Sequence, residues 1–348
     1  MSQNPYTLVF GKEPRQVIAR IAQTNDIVET FKEEQPSQQV YMVTGVRGSG
    51  KTVFMTKIAK ELSDDKDWIS VELNPEKNLL ESLASKLSSD NSLATLFKNA
   101  KINLSFWGFG LEVGDVAPIT DIEVAITKML ENIKKQKKRL LITIDEVTNN
   151  QAMREFASAF QIFVRQDLPI FLIMTGLYEN INELQNEKSL TFLYRAHKVE
   201  LKPLNIGTIA ANYKSIFEID DNVALDMAKL TRGYSFAFQV LGHFTWENGG
   251  SYKEIISEYK QYLDEYVYDK IWSELSARDK FILYGVAKAK SAQIADIRDV
   301  LNITTNEFNP YRKRLIKKGL VNGEERGYLY FTLPLFEDYV IENYIENK

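Results

Sequence analysis

Eight consecutive residues, Gly45-Val46-Arg47-Gly48-Ser49-Gly50-Lys51-Thr52, have the types and spacing to do chemistry on a phosphate chain. They fit G-x-x-x-x-G-K-[ST], in which glycines clear side chains from a turn so that backbone N–H groups can meet phosphate oxygens. Lys51 is placed to reach the β- and γ-phosphates, and the Thr52 hydroxyl to ligate Mg²⁺. The flanks agree. "QVYMVTG" before the turn reads as a buried strand, and Val53, Ile58 and Leu62 after it have helical spacing. Gly45 to Val53 is therefore the expected nucleotide-binding stretch, with the positive end of the following helix aimed at the anion. With average glycine usage of about 7%, such a match arises by accident in roughly one chain in a hundred of this length.

A second stretch supplies what the first lacks. "KKRLLITIDEVTNN" runs from Lys137 to Asn150, and its apolar run Leu140 to Ile144 ends in Asp145-Glu146. Carboxylates at the carboxyl end of a central parallel strand lie beside a phosphate-binding crevice. Asp145 is the expected Mg²⁺ partner, and Glu146 the base that polarises an attacking water. Downstream, Ile170 to Met174 reads as another buried strand ending in Thr175, whose hydroxyl is placed to touch a γ-phosphate or orient the water. A final strand near His197 to Leu201 follows Arg195, a candidate arginine finger for a neighbouring subunit. Arg165 and Arg154 are rivals for that role.

These stretches need elements to hold them. Strands are expected at about 39–44, 68–73, 139–145, 169–175 and 197–201. Helices fall between, at about 51–62, 77–88, 120–137 and 151–166. This alternation predicts an α/β fold with a parallel sheet covered on both faces. With 348 residues the chain is too long for one ordinary core. Hydrophobic content of 44% and charged content of 26% are those of a soluble globular protein. There is no cysteine, and the two histidines, His197 and His243, lie far apart, which argues against disulfide or zinc chemistry. No run is long enough to span a membrane, and the start lacks the pattern of a signal peptide, so a cytoplasmic protein is expected. A net charge of −4 does not announce a nucleic-acid binder, so any basic surface must be local.

Taken in order, "FGKEPRQVIARI", "GVRGSGKT", "LLITIDEV", "IFLIMTG", "YRAHKVELKPL" and "TRGYSFAFQVLG" resemble the AAA+ P-loop ATPases, more narrowly the origin-recognition-like and STAND-like ATPases of archaea and bacteria. The resemblance implies ATP or ADP with Mg²⁺ as ligands and a sheet order of 5-1-4-3-2. It also implies a base contact from Phe10 and Gly11, a sensor role for Thr175, and a lid helix over Gly233 to Leu241. The sequence departs from that pattern at two points. No arginine opens the lid helix, although Arg232 just before it can stand in, and Ser235 occupies a position where many STAND proteins have proline.

The remainder divides further. Ile102, Leu104 and Phe106 alternate as in a strand, and "WGFG" after them predicts a hairpin over about 100–115, with Trp107 and Phe109 either exposed or packed on the sheet edge. Three domains are expected: a P-loop core over 1–204, a helical lid over 205–269 and a winged-helix domain over 270–348. In the last, "IRDVLNITTNEFNPYRKRLIKKGLV" has helix-turn-helix spacing, with Ile297, Val300 and Leu301 burying the first helix. Thr304 or Thr305 caps the second and Gly319 stops it. Arg312, Lys313, Arg314, Lys317 and Lys318 suit DNA phosphates, with Thr305, Asn306 and Asn309 facing base edges. Two functions follow: an ATP-driven switch or motor acting with DNA, or a nucleotide-dependent signalling switch that binds a protein partner. A homo-oligomer is compatible with either.

Overall fold

A computed structural model describes residues 3–9 and 14–346. By internal contact the chain forms two compact units. One comprises Arg20–Thr44 and Lys51–Glu200, and the other Met1–Ala19, Gly45–Gly50 and Leu201–Lys348.

The first unit holds α1 (Ile21–Lys32), β1 (Val40–Thr44), α2 (Lys51–Ser63), β2 (Trp68–Leu73), α3 (Leu79–Ser89), α4 (Asn91–Asn99), α5 (Ile122–Lys135), β3 (Arg139–Ile144), α6 (Gln151–Arg165), β4 (Ile170–Gly176), α7 (Tyr178–Gln185) and β5 (His197–Glu200). The strands form one parallel sheet ordered β2-β3-β4-β1-β5, the expected order read from its other edge. β1 and β4 are buried at every residue, as strands covered on both faces must be, and their composition follows: VYMVT and IFLIMTG. The edge strand β5 exposes His197, Lys198 and Glu200 and buries only Val199, a charged edge that discourages further pairing. Apolar faces of α3, α5 and α6 complete a core that contains Leu83, Met129, Phe156 and Phe160. Asn150 accepts from the Met153 amide at 2.8 Å and so fixes where α6 begins, just beyond the carboxyl end of β3.

The stretch 100–115 is not a hairpin. Ile102 and Leu104 are buried, but Ser105–Trp107 forms a 3₁₀ turn, and the Leu104 amide donates to Leu111 O at 2.7 Å. Gly108 and Gly110 both have positive φ, which turns the chain twice within three residues where a strand would have to run straight. The Trp107 indole donates to Ile119 O at 3.0 Å and the ring stacks on Phe109, both half-buried, whereas Phe106 is 59% exposed.

The second unit contains α8 (Ile206–Phe217), α9 (Asp221–Leu230), α10 (Ser235–Glu247), α11 (Ile256–Leu263), α12 (Asp269–Ser273), α13 (Ala277–Lys288), α14 (Ile294–Leu301), α15 (Thr305–Lys317), β6 (Val321–Asn322), β7 (Tyr330–Phe331) and α16 (Phe336–Glu346). A π-helical turn, Asp264–Tyr268, joins α11 to α12. Tyr6, Tyr213, Phe238, Tyr259 and Tyr268 are buried in its core, which accounts for the tyrosine-rich texture of this half. Strands β6 and β7 pair antiparallel after α15. Ile297 and Leu301 of α14 are buried, but Val300 is 45% exposed and does not help to bury it. Thr304, not Thr305, caps α15, in a reciprocal box with Glu307. Gly319 follows the helix at φ +75°.

Candidate nucleotide site

The first unit gathers the charged and hydroxylated candidates at the carboxyl ends of its strands. Thr52, in the first turn of α2, donates its hydroxyl to Asp145 Oδ2 at 2.6 Å. Thr175, near the end of β4 and fully buried, donates to Asp145 Oδ1. The strand register explains the meeting: β3 and β4 pair up to Ile144 and Met174, so Asp145, the next residue after β3, falls beside Thr175, which is still in β4. The Glu146 amide donates to Asp145 Oδ1 at 3.0 Å and to Thr175 Oγ1 at 3.3 Å. Glu146 itself has φ +52° and an exposed side chain. A non-glycine residue in the left-handed region carries backbone strain, of order 1–3 kcal/mol, and such strain collects where a side chain must point in a particular direction. Lys51 is buried to 9% exposure at the start of α2.

These groups fit a hydrated Mg²⁺ shared with a nucleotide. Among the described residues no group of three or more His, Asp and Glu side chains gathers for a metal. Thr52 and Asp145 offer hydroxyl and carboxylate oxygens on one spot, and Mg²⁺ commonly takes one or two protein ligands and fills its octahedron with phosphate and water.

The glycine turn Gly45–Gly50 belongs to the second unit, although the chain runs directly from it into α2. It closes on itself through the Ser49 amide, which donates to Val46 O at 3.1 Å. Gly48 and Gly50 adopt φ of +76° and +89°, conformations that side-chain-bearing residues rarely take. Within the same unit, Arg47 pairs with Glu274 at 3.1 Å. Val53 is half-buried in the first turn of α2. Phe10 and Gly11 lie outside the described residues.

The three arginine-finger candidates separate. Arg154, in the first turn of α6, donates to Asn149 O and Oδ1 at 3.0 and 3.1 Å. Arg165 ends the same helix, about 16 Å further along, away from the strand ends that carry Asp145. Arg195 is exposed on a 3₁₀ turn just before β5, at the amino-terminal edge of the sheet, and next to it Tyr194 is 74% exposed. Neither Arg165 nor Arg195 is placed to serve this chain's own carboxylates.

Arg232 does not take the part of a lid arginine facing phosphate. Its guanidinium pairs with Glu337 of α16 at 2.6 Å and donates to Leu333 O at 3.0 Å.

The basic helix α15 is also partly spoken for. Arg314 donates to Asp279, which is 2% exposed, through Nε at 2.9 Å and Nη2 at 2.5 Å. Arg312 donates to Gly323 O at 3.4 Å, and Thr305 accepts from Arg298. Arg314 and Arg312 are thus held by acceptors within the protein, and the expectation that they face DNA is corrected accordingly, whereas Thr305 remains exposed. Asn306, Lys313 and Lys317 are exposed, and Asn309 and Lys318 half-buried. Glu324, after β6, pairs with Lys202 at 3.0 Å.

Residues 20–166 match a family model described as an ATPase domain predominantly from Archaea, and residues 265–340 one described as a domain of unknown function (DUF8462). No curated protein matches the chain. Among solved structures, the Walker-type ATPase PABY2304 of Pyrococcus abyssi superposes with a TM-score of 0.66 at 17% identity, over 93% of this chain and 96% of that one. The ORC2 protein of Aeropyrum pernix, in its ADPNP–ADP complexes, gives 0.60 at 15% identity over 97% of both chains. At these identities the likeness is one of fold. It extends along almost the whole chain rather than the ATPase segment alone. No described helix is long and apolar enough to cross a membrane.

Proposed function

We propose that this AAA+ P-loop ATPase of ORC-like type binds ATP on Gly45–Thr52, cleaves it with Glu146 as base, and passes the nucleotide state through a helical lid, 205–269, to a winged-helix domain, 270–348, that contacts DNA in the cytoplasm. The observation that carries the nucleotide chemistry is the Asp145 carboxylate accepting from both Thr52 and Thr175. One anion fixes a hydroxyl on each side of it, and those hydroxyls are the groups expected to meet metal and γ-phosphate. Bound Mg²⁺ would be held by Thr52 and Asp145 and would offset the charge that develops on the phosphates. Lys51 adds a cation at the β- and γ-phosphates. Glu146 takes a proton from water as its oxygen bonds to the γ-phosphorus and the bond to the ADP oxygen breaks. Thr175 holds the Glu146 backbone by accepting from its amide, so it positions the base. Arg195 serves a neighbouring copy's site, in keeping with its exposure at the opposite edge of the sheet. The ADPNP and ADP of the Aeropyrum protein support adenine nucleotides as the ligand class.

DNA contact rests on Asn306, Asn309, Lys313, Lys317 and Lys318 of the C-terminal segment. A second reading, a switch whose C-terminal part binds a protein, is favoured by one observation: Arg312 and Arg314, the two arginines of α15, both donate to acceptors within the protein, which leaves lysines for any phosphate contact on that helix. The test is the ATPase rate of wild type and Glu146→Gln with and without duplex DNA at two salt concentrations. A DNA-stimulated rate that disappears in the variant supports the first reading. A negligible rate with nucleotide retained and no response to DNA supports the second.

A further inference from the structure

The start of α10 meets the glycine turn through three hydrogen bonds. Tyr234 Oη donates to Arg47 O at 2.6 Å, the Phe236 amide donates to Gly48 O at 3.1 Å, and Ser235 Oγ donates to Ser49 O at 3.0 Å. Three consecutive carbonyls of the turn are thus held by three consecutive residues at the start of α10. The fit is close: a Cβ added at Gly48 would lie 2.2 Å from Tyr234 Oη and 2.9 Å from its ring carbon. Tyr234 is 4% exposed, and burial holds its phenol well above the usual range, so it remains a donor throughout the physiological pH span.

A trans peptide is planar, with the C=O of one residue and the N–H of the next pointing in opposite directions. Fixing the Arg47 and Ser49 carbonyls therefore aims the Gly48 and Gly50 N–H groups away from the lid. The Ser49 N–H is used inside the turn, on Val46 O. A turn with glycine at three of six positions has little side-chain packing of its own to hold its dihedrals, and ordering it only when ligand arrives would cost backbone entropy. Hydrogen bonding at a carbonyl also strengthens the donor on the other side of the same peptide.

We propose that Tyr234, Ser235 and Phe236 act as a positioning clamp that presets the phosphate-binding turn by its carbonyls, which deepens and rests on the reading that Gly45–Thr52 holds a nucleotide. The lid then governs how tightly nucleotide binds rather than how fast it is cleaved. Neutral donors on the outer face of the turn favour ground state and transition state alike, unlike a lid arginine that responds to charge developing on the γ-phosphate. Arg232 cannot supply that second function while it holds Glu337.

The test compares the affinity for ATP and for ADP, with KM and kcat, for full-length wild type, Tyr234→Phe, Ser235→Ala and Lys51→Ala. Losing one net hydrogen bond corresponds to about a five-fold change. The clamp predicts about five- to ten-fold weaker ATP and ADP binding in Tyr234→Phe and about three-fold weaker in Ser235→Ala. KM should rise in parallel and kcat stay within about two-fold. Ser235→Ala, at a half-buried site, keeps the test open if Tyr234→Phe fails to fold. Lys51→Ala separates the two levels. If it loses nucleotide while both lid variants bind like wild type, the clamp is wrong and the phosphate-binding reading stands. If the lid variants lower kcat with KM unchanged, the clamp is also wrong. If Lys51→Ala binds ATP like wild type, the phosphate-binding reading fails and the clamp with it.

Discussion

The nucleotide site and helix α15 both attracted functional readings from short runs of suggestive residues, and they turned out differently. Around Asp145 the suggested residues meet each other. Thr52 and Thr175 come from separate elements, 93 and 30 residues away in sequence, and converge on one carboxylate. On α15 the suggested residues part company: Arg314 and Arg312 turn toward the protein, whereas Lys313 and Lys317 face outward. A ligand with fixed geometry imposes spacing on the residues that hold it, and spacing can be read. A charged run imposes none, because one helix turns its residues to all sides and any buried acid elsewhere can claim an arginine. Arginine is also the better buried partner, since its planar fork satisfies a carboxylate with two hydrogen bonds.

The largest effect that tests this contrast lies at the nucleotide site. Glu146→Gln should lower kcat by roughly 10²–10⁴-fold while ATP affinity stays near wild type. Single-turnover hydrolysis beside equilibrium binding would show it, and a wild-type rate would remove Glu146 from the role of base. Next comes the internal use of Arg314. Asp279→Ala should destabilise the fold by about 2–4 kcal/mol in a denaturant titration, because Arg314 loses a carboxylate that also anchors the capping box of Ser276. A loss below about 1 kcal/mol would mean that Arg314 is available for other work.

A smaller effect would sharpen the DNA half. Lys313→Ala with Lys317→Ala should reduce the slope of log affinity against log salt by about 1.8, near 0.9 for each phosphate contact, in an anisotropy titration with duplex DNA. An unchanged slope would favour a protein partner. The smallest concerns Asp264 at the π-helical turn. Burial pushes its carboxyl from 3.8 up to about 7; Lys260 opposes this, while Glu342, Asp269 and Asp338 reinforce it. A raised acid contributes stability that is full below about pH 4 and is lost as pH rises through about 7. Asp264→Asn should therefore flatten the fall in melting temperature between pH 5 and 8. A profile parallel to wild type would show that Asp264 ionises normally.

The sheet was legible because its central strands, β1, β3 and β4, are apolar runs, two of them followed by or ending in the polar residues Asp145 and Thr175, and chain order alone then allowed few topologies. The misreadings have physical reasons too. Ile102, Leu104 and Phe106 alternate as a strand does, yet two of them are buried by a loop that bends at Gly108 and Gly110, and alternation does not distinguish a pleat from a loop that buries two side chains. Arg314 could not be placed because its partner is 35 residues upstream in another helix. Nor did sequence mark Tyr234 and Ser235 as partners of the glycine turn, since hydrogen bonds to backbone carbonyls leave no signature in the residues that accept them.

The order β2-β3-β4-β1-β5 also bears on how the chain is made. The first strand lies between the last two, and Val40 pairs with Leu172, a separation of 132 residues (172 − 40). At a synthesis rate of about 5–20 residues per second, β1 waits on the order of 7–26 s before its partner exists. Through that interval Val40 to Thr44, buried at every position in the finished sheet, has no strand beside it. Strands β2 and β3 can pair earlier, so the nascent sheet grows from the edge far from the glycine turn. The segment proposed to bind nucleotide leaves the ribosome early and is completed late, so on that reading nucleotide acts on the finished fold rather than on the early steps of folding.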